Sequence, residues 1–340
     1  MRIPRWFGRL CAVLAVVAAG TACGGGIAQN DSPAFVYITN APIGQNEFLQ
    51  LGDTGTAAAA AALGGGARTY ESKDEQSRRA NIEAAIAAGP EAIVLITYEF
   101  DDLAVEYAEQ YPDQQFVLID SCPDPIPENL RCATFKEHEA SYLLGVEAAL
   151  LSRSGHLASV AALDSPFFHR WSDAFAQGAR SVNPAVTDTQ LFVGGDNAVG
   201  DPARSKELAL TAIHNGADQI YAVTGGGNGG IFEAAVERRV FAYGVDVNQC
   251  PLAPGRVVDN AIKRIDTVVL DLLAAVRDGV PGGTSKAYGL AEGGSTVTSL
   301  TDDAAASGCV ILDHPDIVAQ VRQTRDNIVA GRVTVRAPGE

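Results

Sequence analysis

Carboxylates, amides and aromatic rings gather just beyond the apolar, β-branched runs of this chain. They are Asn40, Gln45 and Phe48; Tyr98, Glu99 and Phe100; Asp120; Asp164, Phe167, Phe168, His169 and Trp171; the run Gly225–Gly230; and Asp246. In an open α/β sheet such positions fall at the carboxyl ends of strands, where ligands collect. Rings that stack, beside oxygens that accept hydroxyl protons, suit a flat, hydroxyl-bearing small molecule.

Bond-breaking chemistry has weaker support. The five histidines, His138, His156, His169, His214 and His314, show no His-Glu-x-x-His spacing, and no Gly-x-Ser-x-Gly elbow is present. Only His169 stands near a strand end, and it reads as a hydrogen-bonded aromatic rather than a catalyst. No metal set and no cofactor is expected, and the chain is not read as an enzyme. Gly225-Gly226-Gly227-Asn228-Gly229-Gly230 satisfies Gly-x-Gly-x-x-Gly between a strand and a helix. It lies deep in the second half of an exported protein, which meets little dinucleotide, no acidic residue is read as closing a second strand at the expected spacing of ~20, and no Lys-Ser/Thr follows it. It reads instead as a loop whose backbone N–H groups face a ligand at a helix start. Lys136-Glu137-His138-Glu139 reads as a solvated first turn whose acids suit the helix dipole.

The elements that must position these groups alternate strand and helix. Strand runs are expected at Phe35–Thr39, Ala92–Thr97, Phe116–Asp120, His156–Leu163, Gln190–Val193, Gln219–Val223 and Val240–Val245. Helices are expected at Asp74–Ala88, Asp101–Gln110, Glu137–Leu151, Ser172–Val182, Pro202–Asn215, Phe232–Arg239, Ile262–Arg277 and Pro315–Ala330. Short strands are expected near Ala287–Leu290 and Thr296–Leu300, while Ala57–Ala62 continues a helix. Near-continuous apolar strands between helices indicate parallel sheets covered on both faces, so the class is α/β.

The amino terminus places this body outside the cytoplasm. Arg2, Arg5 and Arg9 precede the apolar run 11–19, then Gly20-Thr21-Ala22-Cys23. A basic segment, a short apolar core and small residues form a secretory signal, and so short a core does not span ~30 Å of hydrocarbon. The residues before Cys23 resemble a bacterial lipobox, which implies cleavage of residues 1–22, acylation of Cys23 and a flexible tether over 23–32. Loss of the three arginines moves the formal charge from -16 to -19. So acidic a body is a poor partner for nucleic acid, and the lipid would be its hold on the membrane. The expected location is the outer face of the cell membrane or a periplasmic membrane face.

About 318 residues remain after cleavage, more than one core usually serves, so two lobes are expected. Cys122, Cys132, Cys250 and Cys309 make an even set in an oxidising compartment. The expected bridges are Cys122–Cys132 across the proline-rich loop 123–127, and Cys250–Cys309.

Several segments together resemble the basic membrane protein family of bacterial lipoproteins. They are Tyr70-Glu71-Ser72, Tyr111-Pro112-Asp113-Gln114-Gln115-Phe116 leading to Ile119-Asp120, and the run from Phe135 to Gly145. Gly216-Ala217-Asp218, the glycine loop, the run 243–249 and the run 261–266 continue the pattern in order. The resemblance implies a type I periplasmic binding protein fold, with two doubly wound parallel-sheet lobes joined by a multi-strand hinge. Lobe 1 is taken as 33–152 plus 263–300 and lobe 2 as 153–262 plus 301–340. It also implies a monomeric substrate-binding lipoprotein that passes a purine nucleoside to an ABC permease. The pocket residues implied are Asp120, Gly226, Asp246 and Lys263, joined by Asn40, Phe48, Tyr98, Phe168 and Trp171 from the strand ends.

Two departures from the pattern bear on specificity. Where the family carries Asp-x-Ser-Phe-Asn, Gln45-Asn46-Glu47-Phe48-Leu49 keeps only the Phe, and Ala198-Val199-Gly200-Asp201 lacks the aromatic of Gly-Ser-Phe-x-Asp. The lost partners are worth ~1–3 kcal/mol each to a buried nucleoside, so another nucleobase or sugar derivative is a second ligand class. A ligand sensor for a signalling partner is the alternative role.

Overall fold

The apolar runs are buried on both faces because helices cover both sides of the sheets they enter. The computed structural model describes residues 33–44 and 46–338. The expected signal segment, the tether with Cys23, and Gln45 lie outside the described residues.

The first sheet draws on β1 (Phe35–Ile38), β2 (Ala67–Tyr70), β3 (Ala92–Ile96), β4 (Gln115–Ile119) and β5 (Leu130–Phe135). Between them run α1 (Glu47–Ala62), α2 (Glu75–Ala88) and α3 (Asp101–Gln110). After α4 (Glu137–Leu151), the second sheet draws on β6 (His156–Ala161), β7 (Thr187–Phe192), β8 (Gln219–Val223), β9 (Phe241–Asp246) and β10 (Val257–Lys263). Its connecting helices are α5 (Pro166–Val182), α6 (Pro202–His214) and α7 (Asn228–Arg238). The chain then forms α8 (Ile265–Arg277), β11 (Thr284–Tyr288), β12 (Ser295–Val297) and α9 (Pro315–Val329).

The sheets repeat one topology. Their orders are β11-β5-β4-β3-β1-β2 and β12-β10-β9-β8-β6-β7, parallel throughout except for the antiparallel β10–β12 pair. Each therefore has a switch point, between β1 and β3 and between β6 and β8, where connections leave in opposite directions and open a crevice. Strand alternation divides the first core: Phe35, Tyr37, Val94 and Ile96 face α1 and α8, whereas Val36, Ile38, Ile93 and Leu95 face α2 and α3.

Two segments sit elsewhere than the expected lobe boundaries. Helix α4, placed with the first lobe, buries Tyr142, Leu143, Leu144 and Val146 in the core of the second sheet. Ser295–Val297, also placed with the first lobe, pairs with Ala261–Lys263 in the second sheet. Both corrections follow from where the chain changes sheets. It does so three times: at Lys136 between β5 and α4, at Arg264 between β10 and α8, and over 289–294 between β11 and β12. The crossings are tied together by Lys136 N to Tyr288 O at 2.9 Å and Arg264 N to Gly294 O at 2.8 Å.

Three strands escape pattern reading because they carry polar groups. Edge strand β2 reads Ala-Arg-Thr-Tyr; β5 contains Arg131, which donates to Gln115 Oε1 at 2.6 Å; β10 contains buried Asp259 and Asn260. Helix α5 begins at Pro166, six residues before its expected start, because proline suits the first helical position. The expected cysteine partners stand opposite each other, with Cα separations of 5.3 Å for Cys122 and Cys132 and 5.0 Å for Cys250 and Cys309.

Candidate functional site

The carboxyl ends of both sheets border one cleft of about 680 Å³. All nine residues expected to meet ligand line it: Asn40, Phe48, Tyr98, Asp120, Phe168, Trp171, Gly226, Asp246 and Lys263. They come from different elements. Asn40 follows β1, Tyr98 follows β3, Asp120 follows β4, Asp246 ends β9 and Lys263 ends β10. Tyr98 stands at the mouth, 70 % exposed.

Backbone strain marks the same strand ends. Asp120 and Asp246 both have φ 68°, and Thr97 has φ 76°. Asp tolerates this left-handed region, but a β-branched residue there is a true outlier, at a cost of ~1–3 kcal/mol. Thr97 is held by its N–H to Ile119 O at 2.8 Å and by its hydroxyl to Glu99 Oε2 at 2.5 Å. Glu99 Oε1 in turn accepts from Asn40 Nδ2 at 3.0 Å, which fixes Asn40 against the first switch point.

Lys263 is the centre of the cleft. It is 3 % exposed, and its Nζ lies 2.6 Å from Asp120 Oδ1 and 3.4 Å from Glu137 Oε1. The rings of Phe135, Trp171, Phe48 and Phe167 surround the ammonium with centroids at 5.0, 5.2, 5.3 and 5.5 Å. Burial opposes its charge, but Asp120, Glu137 and Asp246 together outweigh that and hold its pKa above the ordinary value. Asp246 behaves oppositely: burial pushes its pKa up to about 6, against the pull of Lys263 and with help from Asp120, Glu137 and Glu47. Burial also raises Glu137, which Lys263 only partly offsets.

Glu137 corrects the reading of its segment as a solvated first turn, since it is 2 % exposed. A signal for this was present: 137, 140, 141 and 144 lie on one helical face, and Ala140, Ser141 and Leu144 are buried. Glu99 and Phe167, noted at strand ends but not placed in the pocket set, also line the cleft, as do Phe135 and Arg170. The early start of α5 explains part of this. Phe167 and Trp171 are four residues apart on one helix, so both rings reach Lys263.

His169 does not join them. It is held between Asp164 Oδ1 at 2.8 Å and Asp173 Oδ1 at 3.4 Å, and its ring packs near Phe192. In the glycine loop, a Cβ on Gly226 would come 3.3 Å from Val199 O, and one on Gly230 would collide with Pro202 O at 1.9 Å. Gly226 faces the cleft, whereas Gly230 lets α7 pack on the start of α6. Asp246 does close the strand after this loop and helix, so the dinucleotide order of elements is complete. Its carboxylate feels the charge of Lys263, at the end of the neighbouring strand.

The lining offers more acceptors than free donors. Both cations are engaged by carboxylates, Lys263 as above and Arg170 at 3.7 Å from Glu137 Oε2. Trp171 Nε1 and Asn40 Oδ1 are buried without hydrogen-bond partners. Such a site is built to hold a small molecule, and among the described residues no cluster could hold a metal.

A family model described as Bmp, ABC transporter substrate-binding protein PnrA-like, matches residues 39–307, the span that contains every cleft residue named above. The chain belongs to this family. As a Bmp protein it is a substrate-binding component of ABC transport and not an enzyme, and its partners are a small-molecule ligand and a permease. The CD4+ T-cell-stimulating antigen of Listeria monocytogenes is 27 % identical over 284 residues, covering 78 % of this chain and 75 % of the relative. The ABC transporter nucleoside-binding protein BmpA of Lactococcus lactis is 27 % identical over 290 residues, covering 80 % and 78 %. An ABC transporter solute-binding protein from Aeropyrum pernix superposes with a TM-score of 0.74 at 22 % identity over 91 % of this chain and 94 % of that one, a likeness of fold. Among the described residues, no helix of this Bmp protein is long and apolar enough to cross a membrane.

Proposed function

We propose that this Bmp protein is a lipid-anchored receptor, tethered through Cys23, that closes around a purine nucleoside or a related nucleobase or sugar compound and delivers it to an ABC importer. The observation that carries the reading is the Lys263 centre, where the ammonium from one sheet meets Asp120 from the other inside a ring of aromatics. The two sheets, each with its covering helices, act as lobes, and the three crossings act as the hinge. Phe48 and the α5 rings Phe167, Phe168 and Trp171 stack the base, taking over from the aromatic missing near Val199. Asp120, Asp246 and Asn40 accept from ligand hydroxyl and amino groups.

A thermal-shift panel of nucleosides, nucleobases and sugars tests this. A ligand at 100-fold over its Kd adds about 2.7 kcal/mol, which raises Tm by several degrees. A shift with adenosine, guanosine or inosine that disappears in Asp120→Ala is expected. A panel in which only free sugars respond would reject the nucleoside assignment, and ligand turnover would reject the receptor itself. Lipid attachment is read by the mass of the mature amino terminus, which carries acyl chains in the wild type and none in Cys23→Ala.

A further inference from the structure

Glu47 opens α1 on the first half of the molecule, immediately before the cleft residue Phe48. Its Oε2 accepts from Gln249 Nε2, on the second half, at 3.2 Å. Gln249 is 7 % exposed, and its side-chain oxygen accepts from Asn228 Nδ2 at 3.0 Å and from Val245 N at 3.3 Å. Its own N–H donates to Asn260 Oδ1 at 3.2 Å. Asn228 Oδ1 accepts from Thr224 N at 2.8 Å and Thr224 Oγ1 at 3.0 Å. Thr224 precedes the cleft glycines Gly225 and Gly226, and Val245 precedes Asp246.

Neither Glu47, Gln249 nor Asn228 lines the cleft. The side-chain oxygen of Gln249 is thus engaged inside its own half, while its side-chain nitrogen donates to a carboxylate of the opposite half. Through Gln249 the Glu47 carboxylate is linked to the residues that precede Gly225 and Asp246.

We infer that Glu47 is a positioning residue, a latch that reaches Gln249 when the two halves meet and so stabilises the closed arrangement without touching ligand. This rests on the proposed closure of the halves around ligand. Loss of a hydrogen bond to a charged acceptor present only in the closed arrangement speeds opening, so the effect falls on ligand release and not on encounter. Gln at 47 keeps an acceptor oxygen at the same reach.

The test compares wild type, Glu47→Ala and Glu47→Gln. With adenosine as probe, Glu47→Ala is expected to raise koff about tenfold with kon unchanged, and Glu47→Gln to stay within about twofold of wild type. The melting temperature without ligand is expected to move by no more than about 2 °C, since no core contact is lost. Small-angle scattering without ligand is expected to show a larger radius of gyration for Glu47→Ala alone. Equal scattering and equal koff in all three overturn the latch. A wild type that ignores adenosine counts against the nucleoside reading, and the scattering comparison still decides the latch.

Discussion

Lys263 and Asp120 meet at 2.6 Å across 143 positions of sequence, one at the end of β10 in the second sheet and the other just past β4 in the first. The ammonium is the counter-charge for Asp120 and for the almost wholly buried Glu137. Breaking a buried pair from one side leaves charge without compensation, at ~3–5 kcal/mol. Lys263→Met is therefore expected to lower unfolding free energy by about that amount in urea titrations. A loss below about 1 kcal/mol would mean that the ammonium is not the charge that compensates these carboxyls.

Ligand affinity and stability should respond to pH with opposite signs through Asp246. Its carboxyl titrates near 6 because burial disfavours the charge. A ligand that donates to this carboxylate should bind more weakly as pH falls through 6, by up to about tenfold per unit at the limit. A carboxyl raised in the folded state has the reverse effect on folding: its contribution is complete below the unfolded value near 4 and fades as pH rises through 6. Asp246→Asn should flatten the affinity profile between pH 5 and 7, as read by isothermal titration at several pH values (a range of about two units around the titration).

Gly145 of α4 and Gly178 of α5 let the backbones of the two helices meet. A Cβ on Gly145 would lie 1.9 Å from Phe175 O, and one on Gly178 would lie 1.9 Å from Tyr142 O. Both contacts are to backbone, which cannot rotate away, so Gly145→Ala should cost about 3 kcal/mol and broaden the unfolding transition. Gly229→Ala, which meets nothing within 4 Å, is the control and should stay within about 1 kcal/mol of wild type.

Glu147 is wholly buried between α4 and β10, where its carboxyl meets that of Asp259. Burial first, then the neighbouring Asp259 carboxyl, raises its pKa well above the ordinary value. Asp259 is itself engaged by Asn260 N at 2.7 Å and Ser299 N at 3.2 Å, so Glu147 is the partner that carries the proton. A raised acid stabilises below its unfolded pKa and loses that contribution as pH rises. Glu147→Gln should therefore gain stability over wild type at pH 8 and not at pH 4.5, by about 1–2 kcal/mol in denaturant midpoints. Equal pH profiles for the two proteins would show that Glu147 ionises freely.

Much of the site was legible because ligands of α/β sheets meet strand ends, and strand ends can be found from apolar runs. Asn40, Tyr98, Asp120 and Asp246 needed only that rule. Glu137 was missed because the acids at the start of a helix ordinarily face water, and the apolar face it shares was overlooked. Phe167 was noted as a strand-end ring, yet its place beside Trp171 depended on where α5 begins, which Pro166 marked more quietly than the later apolar spacing did. β5 and β10 were missed because Arg131, Asp259 and Asn260 find buried partners that no local pattern announces.

By itself the sequence determined the α/β class, the repeated units, the cysteine set and the chemical character of the cleft, since these follow from local periodicity and residue type. Tertiary structure alone decided that α4 and β12 belong to the second sheet, that four rings and two carboxylates converge on Lys263, and that Glu47 reaches Gln249. Those relationships join residues as far apart in sequence as Phe48 and Lys263. They depend on where the chain crosses between sheets, and a crossing is fixed by the packing of both cores at once rather than by any segment of its own.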